Sequence, residues 1–228
     1  VSDDFVMSAI LSGAYGGSLN PHLIFVNVLW GYLLTPFYLI LPEISWYLIF
    51  QLLLCFLSFT LLSYMLLKKL NRSMALVVIT LLLTVFGSDA YILVQFTKTA
   101  MIAVMGGSLV FLWALFEQRS LRIEISAAIL CVFGTWFRFN IIYLAGGFLL
   151  FILIVEIARM WKNETDHMRF WLKMRKIISA GLLLIVVVTG CKLFDDYSYN
   201  KDPEYKYFKE YSEARAAIVD ASDYGYEA

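Results

Sequence analysis

Long runs of apolar residues, separated by short polar or charged segments, make up most of the chain. The clearest run, SWYLIFQLLLCFLSFTLLSYMLL, covers residues 45–67. As a helix rising about 1.5 Å per residue, it is long enough to cross a hydrocarbon core of about 30 Å. Three other runs, at 74–94, 100–116 and 177–194, have the same character. The pattern predicts membrane-spanning α-helices.

The apolar stretch at 123–158 is too long for a single span. As one helix it would measure about 54 Å, nearly twice the thickness of the hydrocarbon core. Arg138 and Asn140 lie at its midpoint, so we divide it into spans at 123–137 and 141–158. The chain is therefore predicted to be an all-α, polytopic helical membrane protein with about six transmembrane helices in a bundle at 45–194.

The segment before this bundle, residues 1–44, is predicted to be an extracytoplasmic loop with interfacial helices. Its apolar part, residues 22–42, is long enough to span, but Asn27, Gly31 and Pro36 interrupt it. We expect one or two helices that lie at the membrane interface, and a span stays as the alternative. Residues 195–228 are predicted to begin an extracytoplasmic C-terminal segment.

Composition agrees with a membrane protein. Of 228 residues, 61% are hydrophobic and 16% are charged, and the mean hydropathy is +0.75. Soluble domains carry about 25% charged residues. Cys55, Cys131 and Cys191 all lie in apolar runs and are interpreted as small buried side chains. The net charge is zero, and basic residues do not alternate with aromatic ones, so the expected partner is the lipid bilayer and not nucleic acid.

The distribution of basic residues predicts the orientation. Short loops rich in Lys and Arg remain on the cytoplasmic side. Three alternate connections carry eleven basic residues, at Lys68, Lys69, Arg72, Arg119, Arg122, Arg159, Lys162, Arg169, Lys173, Arg175 and Lys176. This assignment places the adjacent Asp3 and Asp4, Lys98, Arg138 and the tail together on the extracytoplasmic face of a multi-pass protein of the cell membrane.

The opening, DDFVMSAILSGAYGGSLNPHLIFVNVLWGYLLTPFYLILPEISWY, resembles the first extracytoplasmic loop of bacterial GT-C membrane glycosyltransferases and their uncharacterised relatives. The tail, FDDYSYN…YFKEYSEARAAIVD, is similar to the start of their C-terminal segment. The likeness covers most of the chain in layout, and its specific part is the aspartate pair with the loop after it. Family members place these acidic residues after a first span that is absent here, so we expect a fragment of a longer protein, truncated in its C-terminal segment as well.

The resemblance implies a GT-C-like fold and an enzyme that inverts the anomeric centre. Such an enzyme transfers a hexosyl or pentosyl group from a polyprenyl-phosphate carrier to a cell-envelope glycan, a lipid or another acceptor. An inverting transfer needs a base for the acceptor's proton, and a carboxylate at the membrane surface is suited to this role. Asp3 and Asp4 are the candidate catalytic residues. Asp-Asp is also a common helix cap or solvated turn, and that alternative stays open.

Two basic residues are candidates for binding the donor phosphate. Arg138 lies within an apolar stretch, where an unpaired charge is costly, and its planar guanidinium suits a phosphate. The alternative is a structural ion pair with Asp89 or with an N-terminal aspartate. Lys98 lies at the start of a span, where it either contacts phosphate or extends its ammonium to the interface.

Four further residues are possible contacts of donor or acceptor: His22, Asn27, Gln95 and Arg215. His22 is alternatively an interfacial or capping residue, and Arg215 alternatively belongs to a solvated helix face. The sequence does not establish a cofactor. A divalent cation held by His22 with Asp3 or Asp4 stays open, although two or three ligands are few for such a site.

Two other functions compete with the transferase. One is a non-catalytic membrane scaffold, in which the aspartate pair caps a helix. The other is a transporter or flippase of a lipid or solute, although the polar residues gather at one face and not at the midplane. Finally, Ala103 with Gly107 and the pairs Gly106-Gly107 and Gly146-Gly147 are predicted to be helix-packing features.

Overall fold

The computed structural model describes residues 2–117, 119–164 and 166–223. This part of the chain forms nine α-helices, and beyond them only an isolated bridge joins Leu23 and Val26. The helices are α1 (Ser2–Ser12), α2 (Val28–Ile40), α3 (Trp46–Lys69), α4 (Arg72–Tyr91), α5 (Phe96–Phe116), α6 (Leu121–Phe137), α7 (Ile141–Asn163), α8 (His167–Asn200) and α9 (Pro203–Asp223).

Five of the helices, α3, α4, α5, α7 and α8, are long and apolar enough to cross a membrane. Together with the helical content of the described residues, they confirm the prediction of an all-α polytopic membrane protein. The sixth expected span, 123–137, forms α6, whose 17 residues make it shorter than these five. At about 1.5 Å per residue, α6 covers about 25 Å.

The helix is interrupted between α6 and α7, where the polar residues at the midpoint of the long apolar stretch predict it. Helix α6 ends at Phe137 and α7 begins at Ile141. Arg138 follows α6 with an extended backbone, and its N–H still donates to the carbonyl of Gly134. The stretch thus forms two helices, as its length and the polar residues Arg138 and Asn140 predict.

Several predicted boundaries differ from the structure: α5 begins at Phe96 and not at 100, α7 ends at Asn163 and not at 158, and α8 ends at Asn200 and not at 194. Helix α4 ends at Tyr91, before the expected limit at 94, and α8 begins at His167, ten residues before the expected start at 177. With 34 residues, α8 measures about 51 Å, so about 20 Å of it extends beyond the hydrocarbon core. The basic segment 167–176 is therefore helical, although its polarity favoured a connection.

Helix α5 occupies the centre of the bundle and packs against α3, α6 and α7. Small residues make this close packing possible: Ala103, Gly107 and Ala114 are buried along α5. In contrast, α4, α7 and α8 each bury only 11% of their apolar segment inside the protein. Exposed apolar side chains are the expected surface for helices that face lipid.

Helix α2 is too short to span the membrane by itself. Its 13 residues cover about 20 Å, less than the hydrocarbon thickness of about 30 Å. It packs through buried Trp30, Leu34 and Tyr38 into the core that α3, α5 and α6 share. Gly31 lies so close to the loop before it that a Cβ there would be 2.0 Å from the carbonyl oxygen of Pro21.

The two ends of the bundle differ in chemistry. The end that contains Asp4, Lys98 and Arg138, together with α1, α2 and α9, is called the aspartate end. The other contains the α3–α4, α5–α6 and α7–α8 connections with their basic residues and is called the basic end. There Lys176 Nζ donates to buried Glu124 Oε1 at 2.5 Å, which joins the start of α8 to the first turn of α6.

Candidate functional site

Asp4 is fixed against the first residue of the central helix. Helix α1 carries Asp3 and Asp4 in its first turn, where negative charge interacts favourably with the helix dipole. Asp4 Oδ1 accepts a hydrogen bond from Gln51 Nε2 at 2.9 Å and another from the N–H of Phe96 at 3.1 Å. Asp3 is exposed. The structure therefore distinguishes the two aspartates, which the sequence does not.

The Asp4 carboxylate satisfies a helix end that has no local cap. Gln95 precedes α5, and its side chain makes no capping hydrogen bond. The first N–H groups of a helix need acceptors from elsewhere and favour negative charge. Asp4, 92 residues earlier in the chain, supplies both. This contact fits a structural cap and also a carboxylate held in a fixed position for catalysis.

Burial raises the pKa of Asp4 above its usual value, although the hydrogen bonds from Gln51, Phe96 and Tyr47 act in the opposite direction. Asp4 Oδ2 has a longer contact, 3.4 Å, with the N–H of Phe96. That oxygen therefore keeps capacity to accept a proton. A raised proton affinity together with a fixed orientation is what general-base catalysis requires of a carboxylate.

A line of buried polar side chains continues from Asp4 into the bundle. Gln51 is only 1% exposed and binds Asp4 through its amide nitrogen. Its Oε1 accepts a hydrogen bond from the hydroxyl of Thr99, which is also 1% exposed. Each polar group of Gln51 thus has a partner, as a buried amide needs. Gln51 in an apolar span was the available sequence signal, but the sequence reasoning missed both residues.

Arg138 lies beside the same turn of α5. Its Nη1 donates to Thr97 Oγ1 at 2.9 Å, and its guanidinium carbon lies 5.6 Å from the centre of the Phe96 ring. Arg138 is exposed, and none of the carboxylates in the described part of the chain lies within ion-pair distance. The alternative to phosphate binding, a structural ion pair of Arg138 with Asp89 or with an N-terminal aspartate, is not formed within the described residues, and Asp89 pairs with Lys98. Most of the donor capacity of this guanidinium is therefore available to a ligand.

Lys98 is paired, and its partner is Asp89. Lys98 Nζ lies 2.5 Å from Asp89 Oδ1, and both side chains are more than one-third exposed. The pair lies at one end of an apolar cavity of about 370 Å³ between α3, α4 and α5. Phe59, Leu62 and Met105 contribute to its lining. Because α4 is mostly exposed, this cavity borders the face that we assign to lipid.

His22 belongs to a different cluster, formed with α8 and α9. It is 7% exposed and stacks on Tyr205 with 3.9 Å between ring centres. Its Nδ1 and Nε2 lie 3.1 Å from Asn20 Oδ1 and Ser198 Oγ. Burial lowers the pKa of His22, opposed by the charges of Asp195 and Asp202. Both ring nitrogens have partners, which indicates a structural role.

Asn27 also serves the packing of the N-terminal segment. Its Oδ1 caps α2 by accepting from the N–H of Leu29, and its Nδ2 donates to the carbonyl of Cys191. Gln95 is half-buried, and Arg215 is exposed on α9. Of the eight residues that the sequence singled out, the structure brings Asp4, Lys98 and Arg138 to the first turn of α5.

A second aspartate pair, Asp195-Asp196, was not recognised as an equivalent of the first. Asp195 is 6% exposed, and its Oδ1 accepts from the N–H of Val28, the first residue of α2, at 2.8 Å. Its Oδ2 lies 3.2 Å from Lys209 Nζ. Each Asp-Asp pair thus contributes one carboxylate that caps a helix distant in sequence. The repeated dipeptide was the signal that was available.

In the part of the chain that the structure describes, no three His, Cys, Asp or Glu residues are grouped so that they could hold a metal ion. His22 does not join Asp3 or Asp4 in such a group. Comparisons of the chain with family models, with curated proteins and with solved structures find no match. The geometry of the first turn of α5 is therefore the basis for assigning a function.

Proposed function

We propose that this protein is a membrane glycosyltransferase of the GT-C type, which takes a sugar from a polyprenyl-phosphate carrier at the extracytoplasmic face. The observation that carries the proposal is the meeting of three groups at the first turn of α5. Asp4 binds the N–H of Phe96, Arg138 binds Thr97, and Lys98 follows in the chain. Lys98 also lines an apolar cavity, so a base and two cations lie at one turn of helix with an apolar cavity beside it, which is the set that a lipid-linked sugar phosphate needs.

The donor's phosphate binds at the cations. Arg138 offers parallel N–H donors to this phosphate. The lipid chain occupies the apolar cavity between α3, α4 and α5. Lys98 leaves Asp89 to contact the phosphate, because a doubly charged leaving group attracts the ammonium more strongly than one exposed carboxylate does.

The transfer itself breaks one bond and forms another. The acceptor hydroxyl oxygen attacks the anomeric carbon of the sugar from the side opposite the phosphate. The bond between that carbon and the phosphate oxygen breaks, and its electron pair leaves with the polyprenyl phosphate. The acceptor's proton passes to Asp4 Oδ2, so the product is an inverted glycoside and Asp4 leaves the step protonated.

The structure gives one specific argument for the non-catalytic scaffold, because the contacts of Asp4 are also those of a helix cap. Asn variants discriminate between the two functions. Asp4→Asn keeps an oxygen that accepts from Phe96 but removes the base, so transfer should fall about 100-fold or more while the bundle stays folded. Asp3→Asn tests the exposed neighbour as the alternative base.

The matched controls are Asp195→Asn and Asp196→Asn, which make the same changes in the second aspartate pair. A strain that lacks the gene is complemented with each variant at equal membrane levels, and its envelope glycans are measured by mass spectrometry. A sugar that is lost on deletion, restored by the wild type and by both controls, and not restored by Asp4→Asn supports the proposal. Restoration by Asp3→Asn, Asp4→Asn and the double variant would reject this base, and an unchanged glycan profile on deletion would reject the transferase.

A further inference from the structure

The basic end contains a second cavity, separate from the first turn of α5. Its volume is about 470 Å³, and it lies between α3, α5, α7 and the start of α8. Apolar side chains, among them Met65, Leu112 and Ile152, form one part of its wall. Charged side chains form another: Lys69, Glu117, Glu156, Arg159, Glu164 and Lys173. A cavity with both characters fits an amphipathic ligand.

Two cations in this cavity share a single carboxylate. Lys69 Nζ and Arg159 Nη1 each lie 3.6 Å from the same oxygen, Glu156 Oε1. The two nitrogens are therefore at most about 7 Å apart, and 3.6 Å is too long for a good hydrogen bond. Both cations are strongly exposed, with 41% and 65% of their side chains accessible. Lys173, in contrast, is held by Glu164 at 2.6 Å.

A phosphodiester matches this arrangement. Its oxygens accept charge-assisted hydrogen bonds at about 2.7–2.9 Å, so one phosphate placed between the two nitrogens contacts both. An arginine and a lysine with unused donors are the usual partners of a phosphate in proteins. Glu156 lies between them as a competing acceptor, which makes the site weaker than it would be with a neutral residue at that position.

The surroundings place the cavity at a membrane surface. Lys69 ends α3, and Arg159 lies in the last turn and a half of α7, so both are at the limit of a membrane-spanning helix. Trp161 and Trp171 nearby are 57% and 62% exposed, and exposed Trp is typical of the level of the lipid headgroups. The ligand that reaches both the apolar and the charged wall from this level is a lipid.

We propose that the cavity at the basic end binds an anionic phospholipid of the adjoining leaflet, with its phosphodiester between Lys69 and Arg159. The parts of its acyl chains nearest the headgroup lie against the apolar wall. This site takes a lipid that is not a substrate, and it does not depend on the proposed transferase.

The test uses the full chain in nanodiscs of phosphatidylcholine that contain a defined fraction of phosphatidylglycerol. Bound phosphatidylglycerol is counted by native mass spectrometry after release. The variant Lys69→Gln/Arg159→Gln is compared with Arg72→Gln/Lys162→Gln, which removes two cations from the same end but outside the cavity. Each basic residue near a charged surface contributes a general attraction, so both variants lose some binding. The cavity variant is expected to lose about tenfold more than the control.

A third variant, Glu156→Gln, is expected to bind phosphatidylglycerol several-fold more tightly, a gain that misfolding does not produce. Equal losses in the two double variants would overturn the proposal in favour of diffuse attraction to the surface. The proposal would also be overturned if neither double variant lost phosphatidylglycerol binding, or if Glu156→Gln bound it more weakly. The last experiment measures the binding of inorganic phosphate to the protein in detergent. If the Lys69→Gln/Arg159→Gln variant loses phosphate binding as strongly as it loses lipid binding, the site is assigned to free phosphate.

Discussion

Asp195 and Asp196 are adjacent but differ in what they hold together. Asp195 is buried, caps α2 and pairs with Lys209, while the side chain of Asp196 is 42% exposed and pairs with Lys192 and Lys209. Removing one member of a buried ion pair leaves the other charge without compensation, whereas exposed pairs contribute little. The position of each carboxylate, and not its sequence context, sets its contribution to stability.

We therefore expect Asp195→Ala to lower the free energy of unfolding by about 3 kcal/mol, and Asp196→Ala to lower it by less than about 1 kcal/mol. Thermal unfolding of both variants in the same detergent measures the difference. Equal effects of the two substitutions would contradict the assignment of Asp195 as the cap of α2.

The burial of His22 predicts that the stability of the protein depends on pH. Because its pKa is lowered in the folded protein, the unfolded chain binds more protons in the range between that pKa and its ordinary value of about 6.5. The stability due to neutral His22 is present above pH of about 6.5 and is lost as the pH falls through the lowered pKa. Hydrogen exchange of the amides around Ser198 and Tyr205, measured from pH 7.5 to 5, should show protection decreasing in the wild type.

The variant His22→Gln should remove this dependence, since glutamine does not titrate. His167→Gln is the control, because His167 is exposed at the start of α8 and lies in another part of the molecule. Loss of protection on acidification that persists unchanged in His22→Gln would show that another group controls it.

At the scale of elements, the close approach of α5 and α6 depends on a glycine. A Cβ at Gly107 would lie 2.8 Å from the carbonyl oxygen of Ala127 and 2.9 Å from the N–H nitrogen of Cys131, both backbone atoms. A Cβ at Gly147, on α7, would meet nothing within 4 Å. The prediction that both positions are packing features is right for Gly107 and wrong for Gly147 in the described part of the chain.

We expect Gly107→Ala to destabilise the protein by about 2 kcal/mol, because the helices must separate to admit the methyl group. Gly147→Ala should be neutral or slightly stabilising, since alanine has the higher helix propensity. Thermal unfolding in detergent compares the two variants. A loss of stability in Gly147→Ala as large as that in Gly107→Ala would indicate a partner on the exposed face of α7.

Features that depend on local sequence were predictable, and contacts between distant segments were not. The break at Arg138 and the existence of the helices depend on local apolar pattern and length, so they were predictable. The partner of Lys98 was not, because the sequence does not show that Asp89 at the end of α4 faces the first turn of α5. The capping of α5 by Asp4 and the position of His22 against Tyr205 also join distant segments.

At the scale of the molecule, the two ends of the bundle carry different charge. The basic end holds the eleven basic residues of the three connections, against five acidic residues, Glu117, Glu124, Glu156, Glu164 and Asp166. This asymmetry is the feature that orients helical membrane proteins during insertion. It predicts that the aspartate end faces outward.

Cysteine labelling checks the orientation. Tyr15→Cys, at an exposed position of the aspartate end, and Arg72→Cys, at the basic end, are made in a chain whose three natural cysteines are replaced. A membrane-impermeant maleimide should label Tyr15→Cys in intact cells and Arg72→Cys only after lysis. The reverse pattern would invert the topology and with it the face of the proposed reaction.

The contacts of Asp195 also determine the order in which the protein is completed. The N-terminal segment depends on α8 for the cap of α2, for the carbonyl that binds Asn27 and for the tyrosine hydroxyl that binds the N–H of Ile24. Asp195 is synthesised 167 residues after Val28. The segment around Val28 therefore reaches its final contacts only after α8 has been synthesised, and during biogenesis the aspartate end stays incomplete until α8 has entered the membrane.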